Sequence, residues 1–107
     1  IEKANVLVEL LAHKIGFNEA KAVKVPELYC GDADMIINST SVGMKHDDPL
    51  PLPLDHARAN AVIADIIMMP TRTKWLIEAE NAGFQTHYGQ HMLDYQVELI
   101  GKFIGAL

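Results

Sequence analysis

The sequence predicts an α/β fold whose strands form a parallel sheet. The predicted elements occur in the order helix, strand, strand, helix, strand, helix, and the strands are short runs of almost continuous apolar residues. Strands of this composition are buried on both faces, which is typical of parallel sheets covered by helices. The 107 residues are 50% hydrophobic, which is sufficient for one domain with one core.

Three helices are predicted from apolar spacing and end signals. The first ends at Gly16, and the second spans residues 74–82 between a Thr73 cap and Gly83. The last spans residues 92–107 and has an apolar face that includes Leu93 and Val97. The apolar residues of the first helix recur at the spacing of one helical face and are Ala4, Leu7, Val8, Leu11 and Ile15.

Three strands are predicted in this order, and a short apolar stretch before them is expected to be a further strand. Residues 22–25 form a short apolar stretch closed by Pro26, and residues 35–38 form the next strand. Residues 62–69 are the most apolar strand and are closed by Pro70, and residues 84–88 form the last strand. The proline-rich residues 43–53 are predicted to be a loop, and residues 54–60 a turn of helix.

Composition argues against several classes of partner. The net charge of −5, with no run of Lys or Arg longer than a pair, argues against nucleic-acid binding. No apolar run approaches the roughly 18 residues of a membrane span, so no membrane partner is expected. Cys30 is the sole cysteine, which predicts a cytoplasmic protein without disulfides.

Distinctive polar segments follow three of the predicted strands: NSTSVG, MMPTRT and HYGQHM. The carboxyl ends of parallel strands lie at the same edge of a sheet, where ligands of open α/β sheets bind. Small residues such as Ser39 and Ser41 let a ligand approach the backbone closely. The alternative is that Asn38 and Thr40 form a turn that satisfies its own backbone.

Three ordered blocks together resemble the shikimate/quinate dehydrogenase family. They read DADMIINSTSVGM, VIADIIMMPTRTKWLIEAENAG and THYGQHMLDYQVELIGKFIG, and they run from about Asp32 to Gly105. The resemblance implies the C-terminal portion of a Rossmann-type NAD(P)-binding domain, with a partial parallel sheet and flanking helices. It also implies that the complete enzyme uses NADP or NAD to reduce, reversibly, a 3-keto group on a cyclohexene or cyclohexane carboxylate.

The resemblance also implies a role for individual residues. Ile66 and Gly89 would contact the nicotinamide through their backbones, and Met92 would pack against its ring. Gln96 would hydrogen-bond the substrate, and Met68 would lie beside it. The residues expected along the ribose next to the nicotinamide are Asn38, Ser39, Thr40 and Ser41.

The chain departs from the family pattern at several positions. Met68 and Met69 replace the usual Tyr and Asn, so a phenolic hydroxyl that could bind substrate is absent. His91 occupies the position of a glycine beside the expected nicotinamide site. The expected substrate is therefore quinate or a related polyhydroxy acid as readily as shikimate. His91 could instead cap the helix. His87 and His91 are four residues apart, but across a strand-to-helix junction, so no metal site is predicted.

We expect the chain to be a fragment. It has no glycine-rich phosphate-binding turn, and the catalytic Lys and Asp of the family belong to an N-terminal domain, so the chain alone should be inactive. The strand at residues 35–38 would have an unpaired edge, which predicts a homodimer. The alternatives are a relative of methylene-tetrahydrofolate dehydrogenase, against which GQHMLDYQ argues, and a non-catalytic protein-interaction module.

Overall fold

A computed structural model describes residues 1–24 and 30–105. It contains a three-stranded sheet of β1 (Met35–Asn38), β2 (Val62–Asp65) and β3 (Gln85–His87), in the order β1-β2-β3. All strands are parallel, and Asn38 is in register with Asp65. The predicted α/β class and parallel sheet are confirmed, and the carboxyl ends of the three strands lie at one edge.

The core lies on one face of this sheet, beneath α2 (Lys74–Asn81). Ile63 of β2 packs against one face of α2 and forms a hydrophobic cluster with three residues of that helix. All four residues of the cluster are at most 2% exposed. The Thr73 hydroxyl caps α2 by accepting a hydrogen bond from the Leu76 amide at 3.3 Å, as predicted. Gly83, with φ of 92°, follows the helix. The buried residues of α2 in the cluster are Trp75, Leu76 and Ala79.

The other helices leave their apolar residues exposed. The first helix, α1 (Glu2–Leu10), continues as a π-helical segment (Leu11–Ile15) that ends at Gly16, and none of its residues is buried. In α3 (Gly89–Phe103) only Gly89 and Gly101 are buried. Both predicted helices are present, but within the described residues neither buries an apolar face.

Two predicted elements are absent from the described residues, and two predicted strands are shorter than expected. Residues 22–24 form no strand, and the described residues 1–24 and 30–105 provide no strand that pairs with them; Val25 lies outside these ranges. The strand predicted at 62–69 ends at Asp65, because the Asp65 carboxylate accepts a hydrogen bond from the Ile67 amide and turns the chain. The last strand is shorter than predicted, and residues 54–60 form turns rather than helix.

The last helix begins and ends earlier than predicted. It starts at Gly89, with Tyr88 as the N-cap, rather than at residue 92. It ends at Phe103, and Gly105 takes the left-handed conformation with φ of 79°, which interrupts helical geometry. Leu107, the predicted end, lies outside the described residues.

Candidate functional site

Asn38 organises the turn that leaves β1. Its side-chain nitrogen donates to the Val42 carbonyl at 2.9 Å, and its side-chain oxygen accepts from the Thr40 amide at 3.1 Å and the Thr40 hydroxyl at 2.6 Å. The Thr40 hydroxyl in turn accepts from the Val42 amide at 3.1 Å. Asn38 is only 4% exposed. The polar atoms of Asn38 and Thr40 are therefore committed to the turn itself.

A buried hydrogen-bond network joins the ends of β1 and β2 to α2. Asp65 is 2% exposed, and its Oδ1 accepts from Asn38 Nδ2 at 3.3 Å and from the Ile67 amide at 3.1 Å. Its Oδ2 accepts from the hydroxyl of Thr73, the N-cap of α2, at 3.1 Å. Sequence reasoning missed Asp65, although a carboxylate within the most apolar strand is a signal that it has dedicated partners.

The start of α3 packs directly onto the segment after β2. A Cβ atom at Gly89 would lie 2.5 Å from the Ile66 carbonyl carbon and oxygen and 2.6 Å from the Ile67 carbonyl oxygen. No side chain fits there without a backbone shift. The predicted grouping of Asn38, Ile66 and Gly89 at one sheet edge is therefore present.

Two cavities flank Ile66 at this edge. The first has a volume of about 450 Å³, and we call it the strand-end cavity. It includes all three small residues that follow Asn38, and all three are exposed, Ser39 and Ser41 with hydroxyls outside the Asn38 turn network. Within the described part of the chain, neither of these hydroxyls has a hydrogen-bond partner. Its lining residues are Ser39, Thr40, Ser41, Met44, Ile66, Ile67, Met68 and Met69.

The second cavity has a volume of about 310 Å³ and lies between the open sheet face and α3. We call it the α3 cavity. Its apolar lining includes Met35 and Ile37 of β1, which are 50% and 55% exposed, and Met92 of α3. Gly89 also lines it. Of the nine residues predicted as a site, eight lie in the turn after β1 or line one of these two cavities. The ninth, Gln96, lines neither cavity.

Gln96 lies outside both cavity linings. It is exposed, four residues beyond Met92 on α3. Tyr95, which sequence reasoning did not single out, lines the α3 cavity instead. Its one sequence signal is its position three residues after Met92, which places the two on the same side of a helix.

The start of α3 also carries a cluster of rings. The His87 and His91 rings are 4.9 Å apart between centroids, and the Tyr88 and His91 rings are 6.3 Å apart. Across residues 1–24 and 30–105, no group of three or more His, Cys, Asp or Glu side chains could hold a metal ion. In the same residues, no helix is both long and apolar enough to cross a membrane.

Curated relatives with similar sequences share one name. The chain is 44% identical over 64 residues to shikimate dehydrogenase (NADP(+)) of Afipia carboxidovorans, covering 60% of this chain and 23% of that protein. It is 33% identical over 102 residues to the enzyme of the same name from Methanopyrus kandleri, covering 90% and 35%. The chain thus spans about a quarter to a third of these relatives. No protein-family model matches it.

Solved structures with similar folds include a quinate dehydrogenase and a 5-ketofructose reductase. Quinate dehydrogenase from Corynebacterium glutamicum in complex with NAD superposes with a TM-score of 0.82 at 22% identity, covering 97% of this chain and 38% of that one. Ligand-free 5-ketofructose reductase of Gluconobacter sp. strain CHM43 superposes with a TM-score of 0.70 at 27% identity, covering 86% and 34%. The predicted fold and the predicted resemblance are both confirmed.

Proposed function

We propose that this chain is the C-terminal portion of the NAD(P)-binding domain of an oxidoreductase of the shikimate/quinate dehydrogenase type. The longer protein would reduce, reversibly, a 3-keto group on a cyclohexene or cyclohexane carboxylate. In this proposal, the chain holds the nicotinamide end of the cofactor, while the catalytic acid–base groups and the glycine-rich turn lie elsewhere in the longer protein. The sequence similarity to shikimate dehydrogenases (NADP(+)) supports this proposal.

The convergence of three chain segments on Ile66 is the observation that carries the proposal. The turn after β1, the segment after β2 and the start of α3 meet there, and Gly89 allows backbone contact that any side chain would block. In open α/β sheets the ligand binds beyond the carboxyl ends of the strands. Two cavities at that edge are within the usual size range of ligand pockets, about 300–1,000 Å³.

The residues present fit a nicotinamide nucleotide. Ser39 and Ser41 offer exposed hydroxyls for the ribose, and Asn38 and Thr40 would act indirectly by fixing the turn that presents them. The carbonyl of Ile66 and the backbone at Gly89 would border the ring, and Met92 would pack against it. The relatives' names carry NADP and the structural neighbour contains NAD, so either dinucleotide is compatible with the proposal.

The chain's own contribution to the reaction would be positioning and exclusion of water. When bound, the nicotinamide supplies or accepts the hydride. The Asp65 network holds the two strand ends and α2 together, so the cavity walls keep their spacing. Met68 and Met69 add apolar surface to the strand-end cavity, which would reduce the access of water to the reacting ring.

The substrate in this proposal is a cyclic polyhydroxy acid, such as shikimate or quinate. Gln96 lies one helical turn beyond Met92, so a ligand along α3 would meet the nicotinamide contact first and the Gln96 amide next. Met68 would contact the substrate through apolar surface alone, since its thioether cannot replace a phenolic donor.

Cys30 and the edge of β1 bear on where the protein is found and how it assembles. Cys30 is a buried free thiol, the state that a reducing cytoplasm maintains, so we propose a cytoplasmic protein. β1 lies at the edge of the described sheet, and Met35 and Ile37 are exposed on it. Unpaired strand edges recruit partners, which supports a homodimer of this chain alone formed through β1, since in the longer protein the other strands of the sheet would cover that edge.

Steady-state kinetics of the longer protein would test the proposed site. Gln96→Ala should lower kcat/KM for the acid about tenfold to a hundredfold, because losing a hydrogen bond costs about 0.5–1.5 kcal/mol and leaving a buried substrate group unpaired costs about 1–3 kcal/mol. Affinity for the dinucleotide should be nearly unchanged.

Gln85→Ala is the matched control, since Gln85 is an exposed glutamine on β3 outside both cavity linings. It should change neither kcat/KM for the acid nor the affinity for the dinucleotide. An unchanged kcat/KM for the acid in the Gln96 variant, or a loss confined to the dinucleotide term, would mean that Gln96 is an ordinary surface residue.

A further inference from the structure

A third cavity lies between the loop after β1 and the start of α2, and we call it the basic cleft. Its volume is about 480 Å³. It adjoins the strand-end cavity, because Met44 lines both. None of the residues predicted as cofactor or substrate contacts lines it. The lining residues are Gly43, Met44, Lys45, His46, Pro70, Arg72, Lys74 and Ile77.

Cationic side chains are concentrated in the basic cleft. Lys45, Arg72 and Lys74 are three of the nine Lys and Arg residues of a chain whose net charge is −5, and His46 adds a titratable group. The lining of this cavity is therefore more basic than the chain as a whole.

Carboxylates neutralise the basic cleft only partly. Arg72 forms an ion pair with Glu80 at 3.4 Å, and the Lys74 ammonium donates to the His46 carbonyl rather than to an acid. Asp48 accepts from the Gly43 and Lys45 amides at 3.0 and 3.2 Å, and its carboxylate also interacts electrostatically with the more distant Lys45 ammonium. Within the described residues, neither Lys45 nor Lys74 has a carboxylate oxygen within 4.0 Å.

The start of α2 adds positive potential to the same place. Lys74 is the first residue of the helix, Arg72 precedes the Thr73 cap, and the first turn contains no acidic residue. Helix N-termini favour negative charge, and the buried Asp65 carboxylate, bonded to the Thr73 hydroxyl, supplies part of it here. An anion in the cleft would pair with the ammonium groups of Lys45 and Lys74 and add to this negative charge.

We propose that the basic cleft binds a phosphate-type oxyanion. Several separate cations match a compact group with more than one negative charge better than a single carboxylate, which one arginine can satisfy. The same chemistry could come from free phosphate or pyrophosphate, or from the 2′-phosphate of NADP. The proposal does not depend on the redox function, because any phosphate-bearing ligand would satisfy it.

Titration of the ¹⁵N-labelled full chain, followed by amide chemical shifts, tests the proposal. Inorganic phosphate and pyrophosphate are the first probes, and NADP against NAD is the second pair. Binding should shift the amides of Lys45, Arg72 and Lys74, and both Lys45→Ala and Lys74→Ala should weaken it about threefold or more. An effect of NADP that NAD lacks would assign the anion to the 2′-phosphate.

Lys102→Ala is the matched control, because Lys102 pairs with Glu98 on α3 at 3.0 Å and does not line the basic cleft. It should bind the probes as the unmodified chain does. Lys45→Ala is informative even if Lys74→Ala disturbs the loop, since only the latter removes the contact to His46. Shifts spread evenly over Lys3, Lys14 and the other lysines, or unchanged affinity in both cleft variants, would overturn the proposal.

Discussion

Asp65 is the residue on which the geometry of the strand ends depends most. Its carboxylate is buried and accepts hydrogen bonds from Asn38, Ile67 and Thr73. These three donors belong to β1, the segment after β2 and the cap of α2. A buried carboxylate is tolerated only with such partners, so each donor depends on Asp65 as much as Asp65 depends on the donors.

Asp65→Ala should therefore lower the free energy of unfolding by about 1–3 kcal/mol or more, since it leaves buried donors without acceptors. Urea denaturation would measure the change. Asp94→Ala is the control, because Asp94 is exposed and accepts only from Gln90 at 3.0 Å. Equal stability of the two variants would show that the Asp65 network does not hold the strand ends.

Asp48 should make the stability of the loop after β1 depend on pH. Hydrogen bonds from the Gly43 and Lys45 amides lower the pKa of Asp48 below its ordinary value of 3.8. Because the folded-state pKa is the lower one, the stabilising contribution is present above about pH 4 and is lost as pH falls through the folded pKa. An NMR titration should show the Gly43 and Lys45 amide shifts following a midpoint below 3.8, and Asp48→Asn should abolish that transition. A midpoint at or above the ordinary value would contradict the carboxylate's role in the loop.

Gly89 fixes where an entire element begins. The contact with Ile66 and Ile67 leaves no room for a Cβ, so α3 starts in close backbone contact with the segment after β2. Ile66 lines both the strand-end cavity and the α3 cavity. The position of α3, and with it the position of Met92, therefore depends on residue 89 being a glycine.

Gly89→Ala should displace α3 and destabilise the chain by about 1–3 kcal/mol, as overpacking usually does. Gln90→Ala, one residue later, is the control and should change stability by less than about 0.5 kcal/mol, because its hydrogen bond to Asp94 is exposed. Thermal or urea unfolding of both variants measures the difference. A Gly89 variant as stable as the Gln90 variant would mean that the close contact is not required.

The sequence predicted elements more reliably than their ends. Local spacing was sufficient for the order of helices and strands and for the Thr73 cap. The end of β2 depends on Asp65, whose partners include Asn38, 27 residues away, and no local pattern reports such a contact. The strand predicted at residues 22–25 failed in residues 22–24 for a related reason, since strands require a neighbour to pair with. Gln96 shares its helix with Met92 as expected, but its role is still a prediction.

The molecule as a whole has one covered and one open sheet face. α2 covers one face, whereas the other face and most of α3 expose large apolar residues, including Leu99 at 69% and Phe103 at 91%. Exposed apolar surface on this scale is typical of interaction sites. The described parts of α1 and the following π-helical segment bury nothing, so they should contribute little to the stability of the chain.

Deleting residues 1–16 from the isolated chain should therefore change the free energy of unfolding by less than about 0.5 kcal/mol. Denaturation of the full and shortened chains would measure this. Removing Lys74–Asn81, which carries the core of the covered face, should instead abolish cooperative unfolding. A loss above about 1 kcal/mol on deleting residues 1–16 would show that the first helix packs against the sheet in solution.

NMR of the longer protein with methyl-labelled methionines tests whether the nicotinamide binds at the carboxyl edge of the sheet. The chain has five methionines, of which Met44, Met68 and Met69 line the strand-end cavity and Met92 lines the α3 cavity beside Gly89. If the nicotinamide binds at this edge, titration with NADP or NAD should shift the methyl signals of Met92 and of the strand-end methionines through the ring current. Saturating dinucleotide that leaves the Met92 methyl signal unchanged would contradict the account.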